Sequence, residues 1–305
     1  MKVMITGVSG LIGGRIAAVS LKRGWEVSGL DIVKCDNSEI EFTKGSIMNP
    51  AAVRKAIRGC DFVFHQAAAS SSPMFYPDPT EGVMVNTIGS VNVFRAAELE
   101  GVSKVVAAST SSIYGNLPLP SREDQLIEAA PNMYAASKLA MESLGSSYSA
   151  VTGTGIIFLR YFSVYGLGER RKGKIANMLS QFLWDALELD GKGRQPVIYG
   201  DGEQTRDLIF ADDIAKANIL AAKSRVKSGV YNIGTGRETS LNQMITLISK
   251  ATGKDIRPRY VKNPIKNYIF RTLADTSKAE RDLGFVAETT VEAGLNKLID
   301  ELKNQ

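Results

Sequence analysis

The chain has 305 residues, 44% of them hydrophobic and 23% charged, with a formal net charge of +5. That length can bury a sizeable core in one two-part unit or two modest domains, and the composition is that of a globular protein rather than a disordered or fibrous one. No stretch approaches the roughly 18 apolar residues of a membrane span, and the basic residues form no nucleic-acid stripe, with one local cluster at Arg170-Arg-Lys-Gly-Lys174 that either meets an anion or faces water.

From the N-terminus, Val3-Met-Ile5 is a short apolar run that predicts a buried strand. It leads straight into Gly7-Val-Ser-Gly10-Leu-Ile-Gly13, so no secretion signal precedes the turn. Helical periodicity follows from Arg15 to Arg23, then a second strand, Glu26 to Leu30, ending at Asp31. Strand, glycine turn, helix, strand and acid in that order form a dinucleotide site, because glycines let the backbone approach a pyrophosphate at a helix N-terminus. An acid at Asp31 can accept hydrogen bonds from both adenosine ribose hydroxyls and would repel a 2′-phosphate, which favours NAD over NADP. Lys34 is the neighbour that could soften that choice. Cys35 and Cys60 have neither metal-ligand nor redox spacing, which predicts reduced thiols, no metal and a cytoplasmic protein.

A helix is predicted over 51–58, and a strand from Asp61 to Phe64 that runs into His65-Gln-Ala-Ala68. His65 is the one histidine of the chain and reads as a structural residue beside the cofactor, with small alanines leaving room for the dinucleotide. A helical run from Asn86 to Glu100 and a strand from Lys104 to Ala108 follow, the latter carrying Ser109 to Tyr114 at its C-terminal end. Ligands of open parallel sheets sit at such ends, and strands alternating with helices predict a doubly wound parallel sheet.

Tyr134-Ala-Ala-Ser-Lys138 is the stretch with the most chemistry. Of ten tyrosines, Tyr134 alone has a lysine at plus four, which on a helix puts both side chains on one face. A phenol ionises near ~10, so about one in a thousand is a base at neutrality. A unit charge about 4 Å away at an effective dielectric of ~20 is worth ~4 kcal/mol, roughly three pKa units, enough to make Tyr134 a usable base.

Taken together, the chain resembles the extended short-chain dehydrogenase/reductase family, in particular its nucleotide-sugar epimerases and dehydratases. The matching pieces run in order to about residue 286: Gly7 to Gly13, Asp31, His65 to Ala68, Asn86, Ser109 to Gly115, Tyr134/Lys138, Leu159-Arg-Tyr-Phe-Ser-Val-Tyr-Gly166, Tyr199-Gly-Asp-Gly-Glu-Gln-Thr-Arg-Asp207 and Tyr231-Asn-Ile-Gly-Thr-Gly236. The resemblance implies an α/β, Rossmann-type doubly wound sheet in residues 1–165. Residues 207–235 would return partly to it, and 166–305 would form a smaller α/β substrate domain. It implies NAD held by Gly7, Gly10, Leu11, Ile12, Gly13, Asp31, Ile47, Ala67, Ala68, Asn86, Ser109, Tyr134, Lys138 and Tyr161. Tyr134 would be the base, Lys138 its tuner, and Thr110 the supporting hydroxyl, with Ser111 and Ser112 able to share that task. Ser112, Ser163, Asn177, Tyr199, Arg206 and Lys266 would meet the substrate.

Departures from the family pattern steer the choice of reaction. Dehydratases resembling this family carry an Asp-Glu pair after the catalytic Thr, to eliminate water; here those positions are Ser111 and Ser112. Ser163 replaces a usual Asn, and Pro264-Ile-Lys-Asn-Tyr268 replaces Pro-Arg-x-Gly-Asp, leaving Lys266 or Arg271 to supply a phosphate-binding charge. The expected enzyme is an NAD-dependent 4-epimerase of UDP-hexoses. The rivals are another oxidoreductase or epimerase on the same scaffold, including a heptose-type 6-epimerase that 169–174 loosely resembles, and a non-catalytic NAD-binding sensor. Of these, the sensor fits least, since Tyr134 and Lys138 are both kept. In the second half, the pattern predicts a helix over 175–187, a strand over 196–199, a strand and helix over 207–222 that return to the dinucleotide domain, a strand at 231–233, and helices over 241–251 and 291–302. A homodimer is expected through a four-helix bundle, with Ala135, Ala136, Ala140, Met141 and Leu144 on the packing face.

Overall fold

The computed structural model describes residues 1–188, 195–265 and 267–303. Seven parallel strands form the central sheet in the order β11-β6-β5-β4-β1-β2-β3. They are β1 (Lys2–Thr6), β2 (Glu26–Asp31), β3 (Ile40–Lys44), β4 (Phe62–His65), β5 (Lys104–Thr110), β6 (Gly155–Tyr161) and β11 (Gly229–Ile233). Every residue of β5 and β6 is buried, as expected of parallel strands covered on both faces. The sequence order reverses between β1 and β4, so the crevice beyond their C-terminal ends is where a ligand belongs.

One face of the sheet packs on α1 (Leu11–Lys22) and α7 (Ala211–Lys223), through Ile16, Ala17, Ile214 and Ala215. The other face packs on α2 (Pro50–Ile57), α4 (Ser90–Leu99) and α5 (Met133–Thr152), through Val53, Phe94 and Met141. Local chemistry sets these helix ends. Asn49 caps α2 by accepting from Ala51 N and Ala52 N, with Pro50 next. Asn132 caps α5 on Ala135 N, and Gly153 stops it at φ +75°.

The rest of the chain forms a cap. Strand β7 (Ser163–Tyr165) pairs with β10 (Leu208–Phe210), β8 (Val197–Tyr199) with β13 (Arg259–Val261), and β9 (Thr205–Arg206) with β12 (Thr239–Ser240). Helices α6 (Met178–Ala186), α8 (Leu241–Thr252) and α10 (Val291–Lys303) close over a separate apolar cluster that includes Leu179, Phe182, Met244 and Leu298. Strand β10, helix α7 and strand β11 carry the chain back to the central sheet.

Five features depart from the sequence reading. Helix α1 starts at Leu11, not Arg15, directly off Gly10. Gly13 and Gly14 lie inside it, where propensity disfavours glycine, because a Cβ on Gly13 would sit 2.1 Å from Gly7 O. The helix expected from Asn86 begins earlier, as α3 (Thr80–Met84), and passes through a π turn (Val85–Gly89) before α4. Strand β3 was not expected, although Ile40-Glu-Phe-Thr-Lys44 alternates as an edge strand does. Helix α9 (Ser277–Leu283) and strand β13 were also unforeseen.

Candidate active site

Two cavities meet beyond the C-terminal ends of the sheet. The larger, about 610 Å³, is lined by Gly7, Gly10, Leu11, Ile12, Gly13, Asp31, Ile47, Ala67 and Ala68 among others. These are nine of the residues the sequence reading assigned to the dinucleotide. Gly7 adopts φ +69°, and a Cβ on it would fall 2.8 Å from Ala67 N. Only glycine therefore allows this turn to pack so closely on the chain after β4, which forms one wall of the cleft. Asp31 accepts from Ser9 N at 3.0 Å and Val33 N at 2.9 Å, which fixes its carboxylate at the end of β2. Lys34 does not line the cleft, and its ammonium lies 3.9 Å from Asp36. These features fit an NAD with a free ribose 2′-hydroxyl.

The second cavity, about 310 Å³, is lined by Ser109, Thr110, Ser111, Ser112, Tyr134, Lys138, Tyr161 and Ser163, and shares Ile12, Gln66, Ala68, Ser70 and Lys172 with the first. All four expected catalytic residues thus line one cavity that opens onto the dinucleotide cleft. Strand β5 extends through Thr110, and Thr110 Oγ1 accepts from Ser112 N at 3.1 Å, capping the one-turn helix Ser111–Tyr114.

The electrostatics differ from the expectation. Burial raises the Tyr134 phenol above its ordinary value, and the Thr110 hydroxyl is the group that pulls it back down. The Lys138 ammonium donates to Ala108 O at 2.9 Å. Burial brings Lys138 down to about 8, opposed by the Glu142 carboxylate one turn further along α5. In the cofactor-free protein, then, the lysine is itself poised near neutrality, and it does not yet depress the phenol by three units.

Several assigned residues also hold the site together. Asn86 is fully buried; its Oδ1 accepts from Ala69 N at 2.9 Å, and its Nδ2 donates to Ala69 O at 3.0 Å and Ser137 Oγ at 2.9 Å. With its amide engaged this way, Asn86 ties the loop after β4 to α5. Ser109 Oγ donates to Glu142, which is paired bidentately with Arg160 at 2.7 and 3.0 Å. Arg160 donates on to Tyr114 at 2.8 Å, and Tyr114 to Asn232 at 2.7 Å. This buried network fastens α5 across β5, β6 and β11, and its pairing offsets the cost of burying two charges. The Tyr161 hydroxyl is likewise held in the core by Gln66 and Asn218, at 3.1 and 2.8 Å.

His65 is structural, as read. Thr6 Oγ1 already accepts from Gln66 N and Ala67 N at 3.0 Å each, so its hydrogen goes to His65 Nδ1 at 2.8 Å. Nε2 then carries the ring proton to Ser90 Oγ at 2.9 Å. Burial, with Lys138 nearby, pushes the imidazole down to about 3, so it stays neutral.

Of the expected substrate residues, Ser112 and Ser163 line the cavity. Asn177 instead caps α6, accepting from Leu179 N at 3.0 Å and donating to Val164 O at 3.1 Å. Tyr199 lies on β8, partly exposed and outside both cavities. Arg206 does not pair with Asp207. Its guanidinium donates to Thr205 O at 2.7 Å, Phe270 O at 3.2 Å and Tyr268 OH at 3.0 Å. Asp207 is held instead by Thr235, Gly236 and Ala274. Lys266 lies outside the described residues, and Arg271 is engaged by Glu238 at 2.9 Å. Two contributors were missed: Lys172, which lines both cavities, and the run Ser70-Ser-Ser72. The signals available were a basic cluster and three consecutive hydroxyls after Ala67-Ala-Ala69.

Comparison with known proteins agrees with this geometry. The UDP-glucuronate 4-epimerase of Thermodesulfobacterium geofontis is 31% identical, over 97% of this chain and 94% of the relative. The UDP-glucose 4-epimerase of Mycolicibacterium smegmatis is 30% identical, over 100% and 99%. The crystal structure of the Thermotoga maritima UDP-glucose 4-epimerase with UDP-glucose superimposes with a TM-score of 0.93 at 28% identity, over 100% of this chain and 99% of the other. A profile of the NAD dependent epimerase/dehydratase family matches residues 3–234, and the chain belongs to that family.

Proposed function

We propose that the protein is an NAD-dependent nucleotide-sugar 4-epimerase acting on UDP-linked hexoses. The observation that carries the reading is that Tyr134, Lys138 and Thr110 line one cavity, continuous with the glycine cradle, into which no carboxylate projects among the described residues. A dehydratase needs such an acid to expel water, whereas 4-epimerisation needs a base, a hydride acceptor and room for the sugar to turn.

Bound NAD would supply the acceptor for the C4 hydride and the means to return it. The chain supplies the rest. Tyr134 takes the proton of the 4-hydroxyl, and Thr110 holds that hydroxyl against the phenol. The Lys138 ammonium, anchored on Ala108 O, favours the phenolate once the site is filled and water is excluded. The 4-keto sugar then rotates, and Tyr134 gives the proton back on the other face.

In this reading Gly7 to Gly13, Asp31, Ile47, Ala67 and Ala68 seat the cofactor, and Ser111, Ser112 and Ser163 meet the sugar. The cap, 166–305 apart from the returning segment 207–235, covers the nucleotide-sugar. A second copy of the chain would cover the exposed apolar face formed by Met84, Ile88 and Leu99 with Met133, Leu144 and Val151. Ala135 and Met141 do not belong to that face, because both are buried in their own subunit. Incubation with UDP-glucose, UDP-galactose and their N-acetyl forms should give interconversion with no added NADH and no net change in nicotinamide absorbance. Net NADH release, or no turnover of any nucleotide-sugar, would count against the assignment.

A further inference from the structure

The sugar cavity has a one-sided charge balance. Its wall is hydroxyl-rich, with Ser70, Ser71, Ser72, Ser111, Ser112 and Ser163, and no carboxylate lines it among the described residues. Two lysines line it, and the Lys138 ammonium is committed to Ala108 O on the α5 side. Lys172 enters from the cap, on the short 3-10 segment Glu169–Ile175 that is kinked at Gly173 (φ +53°). Its ion partner is Glu169, at 3.8 Å, beyond hydrogen-bond length. The Glu169 oxygens are already taken by Asn177 N at 2.8 Å and Ser180 Oγ at 2.6 Å. Lys172 therefore brings N–H donors to a cavity wall that offers hydroxyls but no anion. Ser71 Oγ is also buried there without a hydrogen-bond partner.

We propose that the cavity is built for a nucleotide-linked hexuronate, a hexose whose C6 is a carboxylate, and that Lys172 is the specificity residue that meets that carboxylate. The inference rests on the 4-epimerase reading. With the 4-hydroxyl at Tyr134, C6 follows closely, because C4 and C6 are joined through C5 alone; whatever C6 carries must fit the same small cavity. A carboxylate there gains a charge-assisted hydrogen bond from Lys172 and neutral ones from the serines; the neighbouring Glu169 carboxylate, 3.8 Å from the Lys172 ammonium, does not line the cavity and is itself held by Asn177 N and Ser180 Oγ. A neutral hydroxymethyl group gains much less. The competing anion for Lys172 is the cofactor pyrophosphate, since Lys172 also lines the dinucleotide cleft. That anion already has the N–H groups at the start of α1.

Calorimetric titration of the NAD-loaded protein with UDP-glucuronate and UDP-glucose separates these outcomes and does not depend on turnover. The wild type should bind the uronate at least about tenfold more tightly. Lys172→Gln should lose on the order of ten- to a hundredfold in uronate affinity with a smaller change for UDP-glucose, and Lys172→Arg should keep most of the preference. A wild type that prefers UDP-glucose, or a preference that survives in Lys172→Gln, overturns the proposal. So does Lys172→Gln shedding NAD with its sugar preference unchanged, which would give Lys172 to the pyrophosphate. Tight uronate binding without 4-epimerisation would leave the Lys172 assignment standing and sink the reaction instead.

Discussion

The two cavities are made in different ways. The dinucleotide cleft is made largely of backbone: glycines at 7, 10 and 13, the N-terminus of α1, and small residues after β4. The sugar cavity is made of side chains brought from 70–72, 109–112, α5, β6–β7 and the cap turn at 172. A cleft shaped by backbone is intolerant of added volume but indifferent to most chemistry. A cavity shaped by hydroxyls and ammonium groups keeps its shape under substitution and loses its chemistry. Substitutions in the two regions should therefore fail differently.

The largest expected effect is in the sugar cavity. Tyr134→Phe should lower kcat on the order of a thousandfold while NAD content and melting temperature stay near wild type. A variant that keeps more than a tenth of the activity would remove Tyr134 from the proton transfer. The dinucleotide cleft should show the converse. In Gly13→Ala the new Cβ would meet Gly7 O at 2.1 Å, and overpacking of that kind costs about 1–3 kcal/mol or more. The purified variant should have a lower melting temperature and reduced bound NAD, and turnover should fall only in proportion to the NAD lost.

A third prediction uses a titratable group of the sugar cavity. Lys138 is held down to about 8 by burial, so turnover should fall as pH rises through that value and the ammonium is lost. Stability should move the other way. The unfolded chain keeps this proton up to ~10.4, so between about 8 and that value it binds more protons than the folded state, and the cofactor-free protein gains stability, by up to ~3 kcal/mol. Urea titrations across that window should show the rise in wild type and not in Lys138→Met. The smallest expected effect lies outside both cavities. Leu144 is 44% exposed on the outer face of α5, and Leu144→Glu should shift a dimer to monomer in light scattering with little change in kcat. A wild-type monomer would remove the proposed interface.

The same contrast explains what was legible beforehand. The dinucleotide site is contiguous in sequence and its constraints are conformational, so glycine spacing, the flanking strand and Asp31 were enough to find it. The face shared by Tyr134 and Lys138 follows from helical spacing alone. Asn86, Asn177 and Ser109 were assigned to ligands on the family resemblance, and an amide or hydroxyl at a strand end or helix start can serve either a ligand or the backbone. Only the fold shows that Ala69, Leu179 and Glu142 claim them. The state of Tyr134 was misjudged for a related reason: spacing gives the distance to Lys138 but not the burial of both groups, and here desolvation dominates. Lys172 could be seen only as part of a charged run, since its approach to the cavity depends on how the cap turns at Gly173.

The central claim is that the hydride leaves C4 of the sugar and returns to the same carbon without leaving the protein. The direct test is turnover of a UDP-hexose deuterated at C4, with mass spectrometry of the product. Full retention of deuterium at C4 in the epimer is the predicted result. Loss of the label to solvent, or its appearance in free nicotinamide cofactor, would contradict the account.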